Sequence, residues 1–208
     1  MFLIKPLSHS FELALVHVTQ LHSRQERKGS RIPYVAHLLG VASIVLQYGG
    51  REDEAIAALL HDAIEDQGGK SMREEIRAKY GETVEAIVNG CTDTDTIPKP
   101  PWRERKEKYI AHIADASPSV LLVSAADKLE NARAILKDHR QIGDRVWIRF
   151  KGGKAGSLWY YRQMVKAYRS ANNLKRDTRI VPLVDELDRV VTEIERKSGL
   201  RPIAGPHI

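Results

Sequence analysis

The sequence predicts an all-α protein of about eight to ten helices in a single domain, and three observations predict it. Apolar residues recur every three or four positions along nearly the whole chain, the spacing that lines one face of a helix. Few windows show the alternating, β-branched pattern of a strand. The punctuation is also helical, with Ser or Pro ahead of the apolar stretches and Gly behind them.

Each element follows from these signals. Phe11, Leu15 and Val18 mark a first helix over residues 10–26, with Ser8 or Ser10 as its cap, and the 29–33 stretch breaks it. A second helix opens near Pro33, whose fixed φ suits a first turn, and ends at Gly49 and Gly50. A third runs over 53–66 and stops at Gly68 and Gly69. Ser71 and Glu74 form a capping-box pattern for a short fourth helix ending near Gly81, and a fifth covers 82–90. Residues 92–101, rich in Thr, Asp and Pro, read as a loop. Helices follow over 102–115 and 117–137, the latter with Pro118 at a tolerated early position. An irregular basic stretch with four glycines spans 138–156; helices return over 157–171 and 180–197, and the last ten residues read as frayed.

Composition narrows the function classes. At 208 residues with 42% hydrophobic and 29% charged content, the chain suits one domain with a real core. No apolar run approaches the roughly 18 residues of a membrane span. The start, MFLIKPLSHS, lacks the charged-then-apolar order of a signal peptide. A single cysteine, Cys91, excludes an intramolecular disulfide and fits a reducing compartment, so a cytoplasmic location without membrane contact is expected. The net charge of +6 raises nucleic acid as a partner, but the charge is local. Residues 138–179 hold 11 Lys/Arg against 3 Asp/Glu, leaving the rest of the chain at −2. A basic segment beside an acidic site suits a small, multiply phosphorylated substrate; a solvated basic face looks the same. Nothing in the sequence specifies an oligomeric state.

The most informative stretch is ALLHDAIEDQGG. On one continuous helix, His61, Asp62, Glu65 and Asp66 lie within an arc of about 140°, with Ile56, Leu60, Ala63 and Ile64 on the other side. Three carboxylates so close repel one another unless a cation or donors compensate; a solvated helix end is the plain alternative. Two further polar residues sit inside apolar helices: His37 in YVAHLLGVAS and Asp127 in SVLLVSAADKLENARAIL. A carboxylate in such surroundings is costly without a partner. Convergence of the three helices assembles His37, His61, Asp62 and Asp127 into a mixed N/O set that suits Mn²⁺, Fe²⁺ or Zn²⁺, with positions left open for water.

The ordered pattern His…His-Asp…Asp resembles that of the HD phosphohydrolases. HDAIED matches the HDxxED form of the alarmone hydrolases, meaning the hydrolase half of the bifunctional Rel/Spo enzymes and the stand-alone small alarmone hydrolases. RKGSRIPYVAH, TDTDTIPK and ADKLENAR are similar to that family's segments, and the likeness runs from Leu13 to Arg133. The resemblance implies one HD-type domain over 1–208, with 138–208 as a looser C-terminal helical portion. It implies hydrolysis of the 3′-pyrophosphate of (p)ppGpp to GDP or GTP and pyrophosphate, with a divalent metal, Mn²⁺ being the expected ion.

It also implies roles. His37, His61, Asp62 and Asp127 hold the metal; Glu65 and Asp66 orient water, take its proton and assist the leaving oxygen. Arg27 stacks on the purine, Lys28, Lys99 and Lys154 meet phosphates, and Asn131 faces the nucleotide. The chain departs from the family in the insertion between Arg27 and Pro33, so that Arg24 or Arg31 are alternative stacking residues. It also departs at Ser124, Glu130 and Gln67, where the family often has Lys, His and Thr. An adenosine alarmone, or the 2′-phosphate of NADPH, is the neighbouring substrate reading. A synthetase activity is not expected. A helical protein that binds nucleic acid or nucleotide without catalysis is a reading of a different class. It leaves the HDxxED face unexplained, so nucleic acid is not the expected partner.

Overall fold

In the computed structural model, which describes residues 6–199, the architecture is organised around one long central helix. The helices are α1 (His9–Leu21), α2 (Val35–Gln47), α3 (Glu52–Leu60), α4 (Ala63–Gln67), α5 (Gly69–Cys91), α6 (Trp102–Ile113), α7 (Pro118–Ile142), α8 (Gly153–Ser170) and α9 (Ile180–Lys197). Two 3-10 turns, Gly143–Arg149 and Leu174–Arg176, complete the list. Among the described residues there is no strand, only an isolated bridge between Glu26 and Pro33. The all-α class is therefore observed. The first five residues lie outside the described residues, as do 200–208 of the ten-residue end expected to fray.

The centre is α7. Ser117 caps it by accepting from the Val120 amide, and Pro118 fills the first turn. Residues 120–127 are buried without interruption, so this half of the helix is covered on every side. It packs against α2, α3, α5, α8 and α9. Asp127 stands at the end of that buried run, the point that carries the site.

Four local differences from the sequence reading have physical causes. Helix α1 ends at Leu21 rather than Glu26, because residues 25–34 close a loop instead: Arg27 N donates to Ile32 O at 2.9 Å and Tyr34 N to Gln25 O at 2.8 Å. The expected continuous helix over 53–66 is broken at His61 and Asp62. There the Ala58 carbonyl, an acceptor the helical ladder would use, takes a bond from His61 Nδ1 at 2.8 Å. The expected capping box at Ser71 is absent, since α5 begins at Gly69 and the Ser71 hydroxyl donates to Gly68 O. The division expected near Gly81 is present as a kink, with φ 88° and ψ 171°. Lastly, 138–156 is more regular than its glycines suggest: α7 runs on to Ile142 and α8 starts at Gly153. Two of these glycines serve contact, since a Cβ on Gly152 or Gly156 would lie 2.7 or 3.2 Å from the Trp102 indole, whereas Gly143 and Gly153 supply positive φ.

A buried ion-pair cluster ties α9 to this core. Glu54 of α3 is fully buried. Its carboxylate accepts from Arg179 Nη1 and Nη2 at 2.8 and 3.0 Å, from the Arg51 amide at 2.7 Å and from Ser119 Oγ at 2.8 Å. Burial by itself would raise the Glu54 carboxyl, but Arg179, the Arg51 amide and Ser119 outweigh it and hold it below the ordinary range. Its contribution to stability is thus complete above the unfolded value of about 4.3 and is lost as pH falls through the lower folded value. Glu54→Ala leaves the Ser119 hydroxyl and the Arg51 amide without their acceptor while Arg179 keeps Asp177, and is expected to cost about 1–3 kcal/mol in urea unfolding at neutral pH. The gap between parent and variant should narrow as the pH of the measurement drops below about 4.

Candidate functional site

Three pieces of backbone bring the polar residues of the apolar helices together. Helix α2 contributes His37, which is 2% exposed; the α3–α4 junction contributes His61 and Asp62; α7 contributes Asp127. His37 Nε2 lies 3.3 Å from Asp127 Oδ1 and 3.6 Å from Asp62 Oδ2. His61 Nε2 lies 3.1 Å from Asp62 Oδ2 and 3.6 Å from Asp127 Oδ1. The two imidazole rings meet edge to face, 5.2 Å between centroids. His61 and Asp62 lie at the α3–α4 junction, both with backbone angles in the right-handed helical region.

Each imidazole has its other nitrogen occupied. His61 Nδ1 donates to the Ala58 carbonyl, and His37 Nδ1 donates to the Glu130 carboxylate in a short bond. Both rings therefore turn Nε2 towards the carboxylates. His61 Nε2 is buried and makes no hydrogen bond, an orphan that native interiors rarely leave without an explanation. A divalent cation among two imidazole nitrogens and two carboxylate oxygens supplies one, and the hard-to-borderline donor set fits such an ion. Donor atoms of His37, His61 and Asp127 all lie within 4.8 Å of one another.

The electrostatics show the same need for positive charge. Burial pulls His37 down, yet its hydrogen bonds to Asp127, Asp62 and Glu130 outweigh burial and raise it to about 9. His61 is likewise raised against burial, by Asp62 and Asp127. For both aspartates burial acts upward but is overcome: Asp62 is held well below its usual range by His61 and His37, Asp127 by Lys128 and the two histidines.

Around the four sit partners that orient them. Tyr34 donates its hydroxyl to Asp62 Oδ2 at 2.5 Å. Asn131 Nδ2 donates to Asp127 Oδ1 at 2.5 Å, and Lys128 Nζ closes tightly on the other oxygen while lying 5.2 Å from the centroid of the Tyr109 ring. Arg27 reaches across from the 25–34 loop, with Nη1 donating to Glu130 Oε2 at 3.1 Å and Nη2 to Asn131 Oδ1 at 2.9 Å. Glu65 and Asp66, on α4, sit at the solvent side and are each held: Lys99 Nζ donates to Glu65 Oε1 at 2.9 Å, and Gln25 Nε2 to Asp66 Oδ2 at 2.8 Å. Gln25 is itself fixed, its Oε1 accepting from His22 Nδ1 and Gln67 Nε2. Asp93, bonded by Arg105 at 2.5 Å and Lys106 at 2.7 Å, anchors the loop that carries Lys99.

The structure thus brings together His37, His61, Asp62, Asp127, Glu65, Asp66, Arg27, Lys99 and Asn131. Lys28 is exposed on the same loop as Arg27. Lys154 pairs instead with Asp144 on the preceding 3-10 turn, at 2.7 Å. Arg24 and Arg31 are exposed, whereas Arg27 is the loop arginine lodged against α7. Trp159 packs on Trp102 and under the Arg103 guanidinium, and Tyr160 also contacts Trp102. Much of the basic surplus of 138–179 is taken up internally: Arg149, Lys154, Arg162, Arg169 and Arg179 are all ion-paired. Sequence reasoning missed Glu130, Tyr34, Lys128 and Gln25 as partners. Glu130 carried a signal, lying three residues after Asp127 on the same helix; Lys128, one residue on, and Gln25 carried none.

The chain matches the HD domain family over residues 14–150. It is 43% identical over 115 residues to guanosine-3′,5′-bis(diphosphate) 3′-pyrophosphohydrolase MESH1 of Xenopus tropicalis, and 37% identical to the Homo sapiens protein of that name. Each match covers 54% of this chain and 62% of the relative, so the chain spans about three-fifths of the length of those relatives. Among solved structures it resembles a Listeria monocytogenes EGD-e protein, with TM-score 0.67 and 31% identity over 77% of this chain and 99% of that one. A metazoan ortholog of SpoT described as hydrolysing ppGpp superposes with TM-score 0.71 and 25% identity, over 95% of this chain and 99% of its own.

A divalent cation held among these donors would stabilise the folded chain by mass action. A divalent metal at about a hundredfold above its dissociation constant is expected to add roughly 2.7 kcal/mol to unfolding. Thermal melts with and without EDTA check it, and His61→Ala should remove the metal-dependent increment.

Proposed function

The chain belongs to the HD domain family, and from that premise we propose that it is a metal-dependent phosphohydrolase acting on (p)ppGpp, releasing pyrophosphate from the 3′ position and leaving GDP or GTP. The observation that carries this reading is the meeting of His37, His61, Asp62 and Asp127 around the bondless Nε2 of His61. These four would hold the ion, for which Mn²⁺ is the proposed identity. When bound, a divalent ion there supplies Lewis-acid stabilisation of charge on the phosphoryl oxygens and favours ionisation of water.

The remaining work falls to side chains of this chain. Glu65 and Asp66 are within one turn of His61 and Asp62, partly open to solvent, and each is steadied by one neighbour. That suits them to orient the attacking water, accept its proton and return a proton to the departing ribose oxygen. Lys99 now bonds Glu65 and is placed to exchange that partner for a substrate phosphate. Arg27, held flat between Glu130 and Asn131, offers a guanidinium face for stacking on a purine. Lys28, exposed beside it, faces incoming phosphates from the same loop, and Lys154 is proposed for the 5′-phosphates at the cost of its bond to Asp144. The proposal extends to a single HD-type unit over 1–208, with 138–208 as its looser C-terminal helical portion, working in the cytoplasm.

The test is product identity. Purified protein with Mn²⁺ is incubated with ppGpp, its adenosine counterpart and NADPH, beside Asp62→Ala. Pyrophosphate release from ppGpp by the parent alone is the expected result. Orthophosphate from NADPH would reassign the substrate, and equal rates from parent and variant would remove the metal-centred reading. Asp66→Asn and Glu65→Gln are each expected to lower kcat by about 10²–10⁴, with melting temperatures close to the parent's.

A further inference from the structure

Glu130 is a carboxylate the proposed reaction does not use, yet its Oε2 is shared by the two halves of the site. It accepts a short bond from His37 Nδ1 and a second, at 3.1 Å, from Arg27 Nη1. Its side chain is 21% exposed, beside a histidine that is 2% exposed. The approach is built into α2: a Cβ at Gly40 would come within 3.0 Å of the Glu130 Cγ, so Gly40 leaves the room that lets Glu130 lie across α2 and reach His37. A second path runs parallel to the first. Arg27 Nη2 donates to Asn131, and Asn131 donates to Asp127. The loop that carries Arg27 is thereby bonded, through one intermediary each, to a donor residue on α2 and a donor residue on α7.

We propose that Glu130 is a positioning residue with two roles: it holds His37 with the proton on Nδ1, so that Nε2 is free to bind the ion, and it holds Arg27 at the edge of the nucleotide site. A partner carboxylate on the far nitrogen of a ligating imidazole fixes both tautomer and ring orientation and makes the ligand more basic. The bond to Arg27 adds a consequence: with one oxygen serving both groups, loss of the carboxylate loosens the ion and the nucleotide together, while loss of Arg27 loosens only the nucleotide. The second role rests on the function proposed above; the first rests only on the donor geometry.

Glu130→Gln preserves length and shape but removes the charge and half of the acceptor capacity. Mn²⁺ binding to the full chain, followed by EPR of the free ion, is expected to weaken by about 10- to 100-fold in this variant. Arg27→Ala is expected to bind Mn²⁺ as the parent does but to show a raised KM for ppGpp. In the double variant the Mn²⁺ defect should persist, whereas Glu130→Gln should add little further to KM. Circular dichroism and metal-free melting report that each variant is folded, and Glu130→Ala provides a second deletion of the carboxylate should the glutamine variant misfold. Mn²⁺ affinity within about twofold of the parent in both Glu130 variants overturns the proposal, since a ligand-orienting partner is worth more than that. Fully additive KM effects overturn the Arg27 half. If the parent hydrolyses none of the three nucleotides while Glu130→Gln still loses Mn²⁺ affinity, the proposed function falls and the role on His37 stands.

Discussion

A carboxylate at the end of a fully buried helical run is the constraint from which the rest of this protein follows. Asp127 terminates the buried stretch 120–127 of α7, and a carboxylate there is tolerable only if charge and hydrogen bonds surround it. Lys128 and Asn131, both from the same helix, meet its two oxygens, and the imidazoles of His37 and His61 approach from two other elements. α2 and the α3–α4 junction pack where they do around a point that must be compensated. The hydrophobic core and the polar centre are therefore one arrangement: the apolar faces of α2, α3 and α7 seal the ring of polar groups that they deliver.

The geometry of the imidazoles shows how little freedom the centre has. Each ring is set by its remote nitrogen, one on a backbone carbonyl and one on Glu130. The first of these bonds sits where α3 ends, after Leu60. It occupies Nδ1 and leaves Nε2 as the His61 nitrogen that faces the carboxylates. Across the junction Asp62 Oδ2 stands 3.1 Å from His61 Nε2.

The solvent side is organised by the loop between α1 and α2. Gln25 holds Asp66, Arg27 holds Glu130 and Asn131, and the Tyr34 hydroxyl bonds Asp62. Gln67 and Glu130 bond this loop from either flank. On the buried side, the Ser124 hydroxyl joins a hydroxyl chain with Tyr109 and Tyr168.

Much of this was legible in the linear chain. The apolar periodicity determined the all-α class and most of the helices, because burying one face of a helix is a local pattern of three- and four-residue spacing. His37 and Asp127 declared themselves by being polar inside apolar runs, and His61–Asp62 by closing one. What the chain could not express was anything set by contact between distant segments. The end of α3 after Leu60 carries no glycine or proline to mark it, and Gly152 and Gly156 read as breakers although they make room for Trp102. Gln25, Tyr34 and Glu130 acquire their roles only when three helices and a loop meet, since a hydrogen bond across 28 to 104 residues of sequence leaves no periodic trace. Local spacing chose the helices and the donor residues; tertiary packing alone decided which nitrogen of each imidazole faces inward and which neighbours hold it there.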